Sequence, residues 1–459
     1  MFERILRAIL ISISFLLSII SYSQGLGNSP YSSIGIGDVM NYTGGIRNIG
    51  MGNAGSAFLS KDYMNILNPA GLANLRYHRN DSLVKLDVGY TIQYKFLTNG
   101  QASSESWGAN IKYLAFSFPV SKIYSTSISL TPLTSVQNYY SYTSSFPNTF
   151  NYQVLNTQDG SGGIYQFQWA NGFGITKNLS VGLSTIFNFG TINQESTTQL
   201  ITDPNNPNAE NQFGVQRKTN YSGVSFKPGI IYSKHLSKEN VNKEGIIGKQ
   251  EKGIILNIGA TAELYGPVNT KETKTTISRN LLNQVVLDSV TSQTRAPGYL
   301  PSVFRLGVGL EKTNRWTLAA DFSYMNWSTY NRNQFNTDPS ISSSSFNLCV
   351  GAEHYIKNQL RASRSNTIRS GFMYSSTPLV IDGHRIFDYS FSIGASLPVG
   401  VKRKGDEFGP TPRLPILNVA FVVGQRGNPS TSDVLTETYY RLQLGMSIYN
   451  KWFNKRRIQ

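Results

Sequence analysis

One stretch constrains this chain more than any other: the strict alternation that begins near residue 83. Val84, Leu86, Val88, Tyr90, Ile92, Tyr94 and Phe96 fall on one face of an extended strand, and Lys85, Asp87, Gly89, Thr91, Gln93 and Lys95 on the other. A strand of a soluble sandwich runs about 5–6 residues. This one is over twice that, the length a tilted strand needs to cross a bilayer core of about 30 Å. The same pattern recurs at approximately 110–120, 124–139, 162–176, 179–192, 222–236, 252–266, 302–312, 315–327, 344–356, 366–376, 387–401, 414–426 and 437–450. The expected fold is therefore all-β: a transmembrane antiparallel β-barrel of about fourteen strands, over 81–450.

Composition agrees. Hydrophobic residues are 39% of the chain and mean hydropathy is -0.25, yet there are 26 Tyr, 24 Phe and 41 Gly. A barrel wall averages to neutral because lipid-facing apolar residues alternate with lumen-facing polar ones. In the last candidate strand Tyr440, Leu442, Leu444, Met446 and Ile448 should point to lipid, and Arg441, Gln443, Gly445 and Ser447 inward. Trp107, Trp169, Trp316, Trp327 and Trp452 sit near strand ends, as girdle residues do.

The connections alternate in length. Short turns fall around Ser121-Lys122-Ile123, Lys177-Asn178 and Thr313-Asn314, and long polar loops are expected at 140–160, 193–221 and 267–300. Short periplasmic turns and long outer loops are the asymmetry of an outer-membrane barrel. Basic residues gather on the periplasmic side: Lys234, Lys238, Lys243 and Lys249; Lys357, Arg361 and Arg364; Lys402, Arg403 and Lys404. A basic tail follows at 451–459 with Lys451, Lys455, Arg456 and Arg457.

Residues 1–23 read as a secretory signal. Arg4 and Arg7 precede an apolar core from Ile9 to Ile20, and Ser21-Tyr22-Ser23 offers a small-x-small cleavage site. The expected location is the cell outer membrane. The net charge of +16 then points to lipopolysaccharide phosphates and acidic protein partners, with no nucleic-acid role. The single Cys349 forms no internal disulfide and reads as a small apolar residue, buried or facing lipid.

Residues 24–80 do not alternate. They carry Gly44-Gly45, Gly50-Met51-Gly52-Asn53-Ala54-Gly55 and Asn68-Pro69-Ala70-Gly71-Leu72. Glycines allow tight turns and close approach of chain segments. A fourteen-strand lumen is too wide for wall side chains to fill. With Ile34, Ile49, Met51, Phe58, Ile66, Leu67, Leu72 and Leu75 to bury, this segment is expected to fold back inside as a plug.

At this point a family resemblance emerges. The run from Arg47 to Ala57, followed by Asn68-Pro69-Ala70-Gly71-Leu72, resembles the N-terminal hatch of the FadL/TodX outer-membrane transporters, in the variant found in Bacteroidetes. Tyr299-Leu300-Pro301, Arg305-Leu306-Gly307, Asp321-Phe322-Ser323-Tyr324 and Trp327-Ser328 extend the likeness along the chain. The resemblance implies a hatch-plugged barrel for passive uptake of hydrophobic small molecules, of fatty-acid or aromatic-hydrocarbon type, leaving sideways through the wall. It makes Gly50, Met51, Gly52, Asn68, Pro69 and Ala70 the candidate gate. The same barrel is reused without transport, so a second reading stays open: a partner barrel of an outer-membrane secretion or assembly complex.

Enzyme readings find little support. His78, His235, His354 and His384 lack paired metal-ligand spacing, no nucleophile elbow is present, and the glycine runs lack a phosphate-binding Lys-Ser/Thr. No catalytic residue, metal or cofactor is expected.

Overall fold

The computed structural model describes residues 25–60, 63–75, 83–100, 102–145, 153–201, 212–236, 253–280, 284–312, 315–330, 340–356, 366–399, 414–428 and 434–451. The expected signal, the basic clusters at 238–249, 357–364 and 402–404, and residues 452–459 lie outside the described residues.

The strands are β1 (Asp38–Val39), β2 (Leu83–Thr98), β3 (Ser103–Pro119), β4 (Tyr124–Pro132), β5 (Thr134–Ser145), β6 (Gln153–Gly174), β7 (Leu179–Ile201), β8 (Gln212–His235), β9 (Ile254–Tyr265), β10 (Val268–Arg279), β11 (Val285–Gly298), β12 (Ser302–Lys312), β13 (Trp316–Asn326), β14 (Ser344–Ile356), β15 (Asn366–Ile381), β16 (His384–Pro398), β17 (Ile416–Gly427) and β18 (Thr436–Lys451). β4 and β5 are two halves of one wall strand, broken at Leu133. β9 and β10 both pair with β8 and form another; β11 and β12 continue each other likewise. Counted so, the wall has the expected fourteen strands. β18 pairs with β2 from Thr436↔Thr98 to Lys451↔Leu83, which closes the ring and removes the free edges of an open sheet.

The two faces are sorted as the alternation requires. Leu306, Phe322, Val350, Phe391 and Ile393 are exposed on the outside, and Ser127, Gln168, Ser184, Asn347 and Gln443 are buried inside. On β18, Tyr440, Leu442, Met446 and Ile448 face outward while Gln443 and Ser447 are buried. Apolar atoms meet hydrocarbon, and polar ones find partners across the lumen.

Two expectations change. The segments 140–160, 193–221 and 267–300 are mostly strand rather than loop. β6, β7 and β8 have 22, 23 and 24 residues, against about 9–11 needed to span. Their apolar outer band ends near Tyr165, Phe189 and Val224; beyond it Gln, Asn, Ser and Thr predominate, with a few apolar residues such as Ile192, Phe213 and Tyr221. Beyond the band the outer face no longer meets hydrocarbon, so the pattern stops where the bilayer stops and the ladder does not. Trp327, expected in a girdle, is buried: its Nε1–H donates to Ser345 Oγ at 2.9 Å and its ring meets Tyr330 edge-on at 5.4 Å. β13 ends at Asn326 and the chain turns inward there, whereas Trp107 and Trp169 do face outward. Cys349 is buried on the inner face and clusters with Met51 and Met373.

Candidate functional site: the enclosed N-terminal segment

Residues 25–60 and 63–75 touch inward-facing groups all round the ring. Their regular structure is small: 3-10 turns at Pro30–Ser33 and Pro69–Asn74, the strand β1, and one helical turn, α1 (Ile46–Ile49). Ile49, Met51, Ala54, Ala70 and Leu72 are fully buried. So short a piece gains little from its own backbone bonds, and the wall supplies the rest.

The six candidate gate residues are all enclosed, in two groups on opposite sides of the ring. Gly50, Met51 and Gly52 lie against β14, β15 and β16. A Cβ on Gly371 would come 2.1 Å from Gly52 N, and one on Gly351 2.3 Å from the Met51 carbonyl oxygen. Gly52 has φ +64, a left-handed conformation, and its N–H donates to Ser392 Oγ at 2.9 Å. Asn68, Pro69 and Ala70 lie against β6, β7 and β8. Asn68 Oδ1 accepts from Ala70 N–H at 3.0 Å, which caps the 3-10 turn, while Asn68 Nδ2 donates to the Ile230 carbonyl at 3.2 Å.

What sequence reasoning missed is the seat. Gly172 pairs with Gly182 and Gly182 with Gly229, so three glycines form a row across three strands under Asn68-Pro69-Ala70. Cβ atoms there would come 2.6 Å from the Pro69 carbonyl oxygen, 2.4 Å from its carbonyl carbon and 2.2 Å from Asn68 Oδ1. A second pair, Gly259↔Gly307, lies under Ser56 and Ala57. The available signal was glycine on the lumen-facing positions of otherwise regular strands, which marks close approach of another backbone.

Charge fixes the segment as well. Arg47 donates to Glu353 through Nε (3.0 Å) and Nη2 (2.7 Å), Arg369 donates to the same carboxylate, and Arg47 stacks over Phe58 and Tyr63 at 4.6 and 4.5 Å. Asp321 Oδ2 accepts from Gly55 N–H (3.0 Å) and Ser56 N–H (2.9 Å). Arg426 donates to Asp38 at 2.7 Å. Buried charges persist only when paired and hydrogen-bonded, so these contacts specify one position of the segment rather than merely adding attraction.

Among the described residues, the pairing of the wall is interrupted between β3 and β5. β3 pairs with β4 through Leu114–Pro119, but β5 turns away and, among the described residues, pairs only with β6 and β1. Residues 27–40 fill that space. Ser29 N–H donates to the Gln137 carbonyl at 2.8 Å, Asn28 exchanges two bonds with the Tyr139 backbone, and Asn28 N–H reaches Ser106 Oγ on β3 at 2.6 Å. The gap is thus closed by the chain's own N-terminal segment.

Beside it lies a cavity of about 90 Å³ lined by charged side chains, among them Lys95, Asp388, Arg426, Glu437 and Arg441. A second, of about 50 Å³, is lined by apolar groups such as Val39, Ile66, Leu133 and Met325 and by Gln166, Arg305 and the Lys227–Glu263 pair, whose charges are 3.0 Å apart. At about 10–15 Å³ per water, these hold a handful of waters each.

A closed fourteen-strand ring around an enclosed N-terminal segment defines an outer-membrane β-barrel with the fold of hydrophobic-compound channels. The toluene transporter TodX of Pseudomonas putida superposes with a TM-score of 0.57 at 14% identity, covering 90% of this chain and 100% of that one. A FadL homologue of Pseudomonas aeruginosa gives 0.56 at 14%, covering 90% and 99%. The toluene transporter TbuX of Ralstonia pickettii gives 0.53 at 13%, covering 90% and 100%. At such identity the likeness is one of fold, and it carries the FadL/TodX resemblance read from the motifs. No curated protein matches the sequence. The chain belongs to the BamG family, whose model matches residues 5–459.

Proposed function

We propose that this protein is a closed outer-membrane barrel that serves as a structural partner in a protein assembly of that membrane. The observation that carries this reading is the sheet that stands clear of the apolar band. β5, β6, β7, β8, β10 and β11 continue past it, and among the described residues β11 pairs only with β10. Val286, Leu287 and Val290 on β11 are 68%, 48% and 62% exposed. A long open edge with apolar side chains is a template for a strand of another chain. The lumen supports the same reading, since its segment is held by ion pairs and backbone contacts on opposite sides. Acidic periplasmic partners would meet the basic clusters at 238–249 and 402–404.

A second reading is favoured by the interrupted β3–β5 pairing and by the fold shared with hydrocarbon channels. In it the barrel passively takes up hydrophobic small molecules, with Gly50-Met51-Gly52 and Asn68-Pro69-Ala70 as the gate and the gap as a sideways exit into lipid.

Native mass spectrometry of the protein, released gently from its own membrane, separates the two. A stable assembly with other proteins and no apolar adduct supports the partner barrel. A single chain carrying a small apolar molecule overturns it in favour of uptake.

A further inference from the structure

Lys112 owes its position to an irregularity in β3. Gly89 pairs with Tyr113 and Tyr90 with Ile111, so Lys112 is the extra residue of a β-bulge. The bulge turns two consecutive side chains, Lys112 and Tyr113, to the buried face, while Ile111 and Leu114 point outward. Bulges re-aim side chains in this way and cluster beside functional sites. The re-aimed ammonium lines the cavity of about 90 Å³, and Lys112 is 9% exposed.

Arg441 lines the same cavity from β18. Its guanidinium stacks on Tyr439 at 4.0 Å and on Tyr42 at 5.1 Å, and its Nε donates to Gln93. That leaves its two terminal nitrogens without a partner among the described residues. The carboxylates of the cavity are engaged elsewhere. Asp38 and Glu437 lie 2.7 and 3.8 Å from Arg426, Glu437 is also 4.0 Å from Lys95, and Asp388 accepts from Tyr439 Oη–H at 2.6 Å. No carboxylate among the described residues pairs with Lys112 or Arg441. Two further lining groups, Thr91 Oγ1 and Gln443 Oε1, are buried without a hydrogen-bond partner.

Two basic side chains on one cavity, with an unpartnered hydroxyl and amide beside them, lack a counter-anion among the described residues. Buried charge is held only where it is paired. We infer that this cavity binds one small oxyanion, a carboxylate or phosphate group, between Lys112 and Arg441. The fork of Arg441 takes two oxygens side by side, its plane already fixed by the tyrosines, and Lys112 adds a point charge from β3, on the far side of β2. Thr91 donates its hydroxyl, and Gln443 contributes its NH2 once its amide is turned. Because Tyr42, Asp38 and Leu26 of the enclosed segment also line the cavity, the bound anion bridges that segment to the wall. The inference is independent of whether the barrel docks or transports.

The test uses the full-length barrel in a neutral detergent. Its unfolding is followed with inorganic phosphate against chloride at equal ionic strength, and separately in micelles doped with phosphatidylglycerol against phosphatidylcholine. The expected result is saturable stabilisation by phosphate, weakened at least tenfold in Lys112→Gln and in Arg441→Gln, retained in Lys112→Arg, and unaffected by Lys218→Gln on the projecting sheet. Heat-modified gel mobility verifies that each variant is folded. Stabilisation by phosphatidylglycerol alone, lost in the same variants, keeps the oxyanion site and names a lipid headgroup as its source. Phosphate no better than chloride together with phosphatidylglycerol no better than phosphatidylcholine overturns the site, as does equal stabilisation in Lys112→Gln.

Discussion

Gly182 of β7 is the seat of Pro69: a Cβ at residue 182 would stand 2.4 Å from the proline carbonyl carbon. No side chain fits between the two backbones, so Gly182→Val forces the 68–70 turn off the wall. Overpacking of this kind costs about 1–3 kcal/mol, equivalent to roughly 5- to 150-fold more of the displaced state. Ala70→Cys in a Cys349→Ser background should resist a membrane-impermeant maleimide and gain reactivity by that factor when Gly182→Val is added. Unchanged labelling would mean the glycine row is incidental.

The buried carboxylate of Glu353 holds two arginines at once, Arg47 from the enclosed segment and Arg369 from β15. Its removal leaves both cations in a dry site. Glu353→Ala should therefore destabilise the folded barrel by about 3–5 kcal/mol, measured as a lowered urea midpoint in lipid vesicles. Arg47→Ala leaves the Glu353–Arg369 pair in place and should cost less. Equal and small effects from both would show that solvent screens the triad.

Cys349 is a native reporter. At 5% exposure, behind Met51 and opposite Met373 in the ladder, it should be inert to polar maleimides in the intact chain. Deleting residues 25–75 removes Met51 and opens that face to the lumen, and the thiol should then react within the time the intact protein stays unlabelled. Equal protection in both forms would place the shield elsewhere.

The barrel was legible in the sequence because the bilayer imposes it. Val84 to Phe96 alternates since one face meets hydrocarbon, and β18 sorts its residues the same way. The pattern is silent where that contrast vanishes: 153–162, 192–201 and 212–221 continue the ladder beyond the apolar band, where no hydrocarbon meets the outer face, so it leaves no regular hydropathy alternation. Asn68-Pro69-Ala70 could be singled out because a glycine-rich, non-alternating run with apolar residues must pack somewhere. Its partners Gly172, Gly182 and Gly229 could not, because their row exists only after three strands align in register. Lys112 was hidden for a similar reason: a bulge shifts the inward face by one residue, and nothing local in Asn110-Ile111-Lys112-Tyr113 announces it.

The open edge of β11 makes a separable prediction. Val286→Lys with Val290→Lys places charge where a partner strand would lie, a device edge strands use to refuse pairing. Co-extraction of other membrane proteins should fall severalfold while heat-modified mobility is unchanged. Undiminished co-extraction would move the docking surface away from this edge.

Conductance of the intact protein in a planar bilayer, alongside the chain lacking residues 25–75, tests the closed-barrel account most directly. The account predicts no channel steps and no flux of a small aromatic hydrocarbon through vesicles carrying the intact protein, with large steps from the truncated one. Hydrocarbon flux through the intact chain, abolished by locking residues 27–40 to β5, would contradict it and make the enclosed segment a working gate.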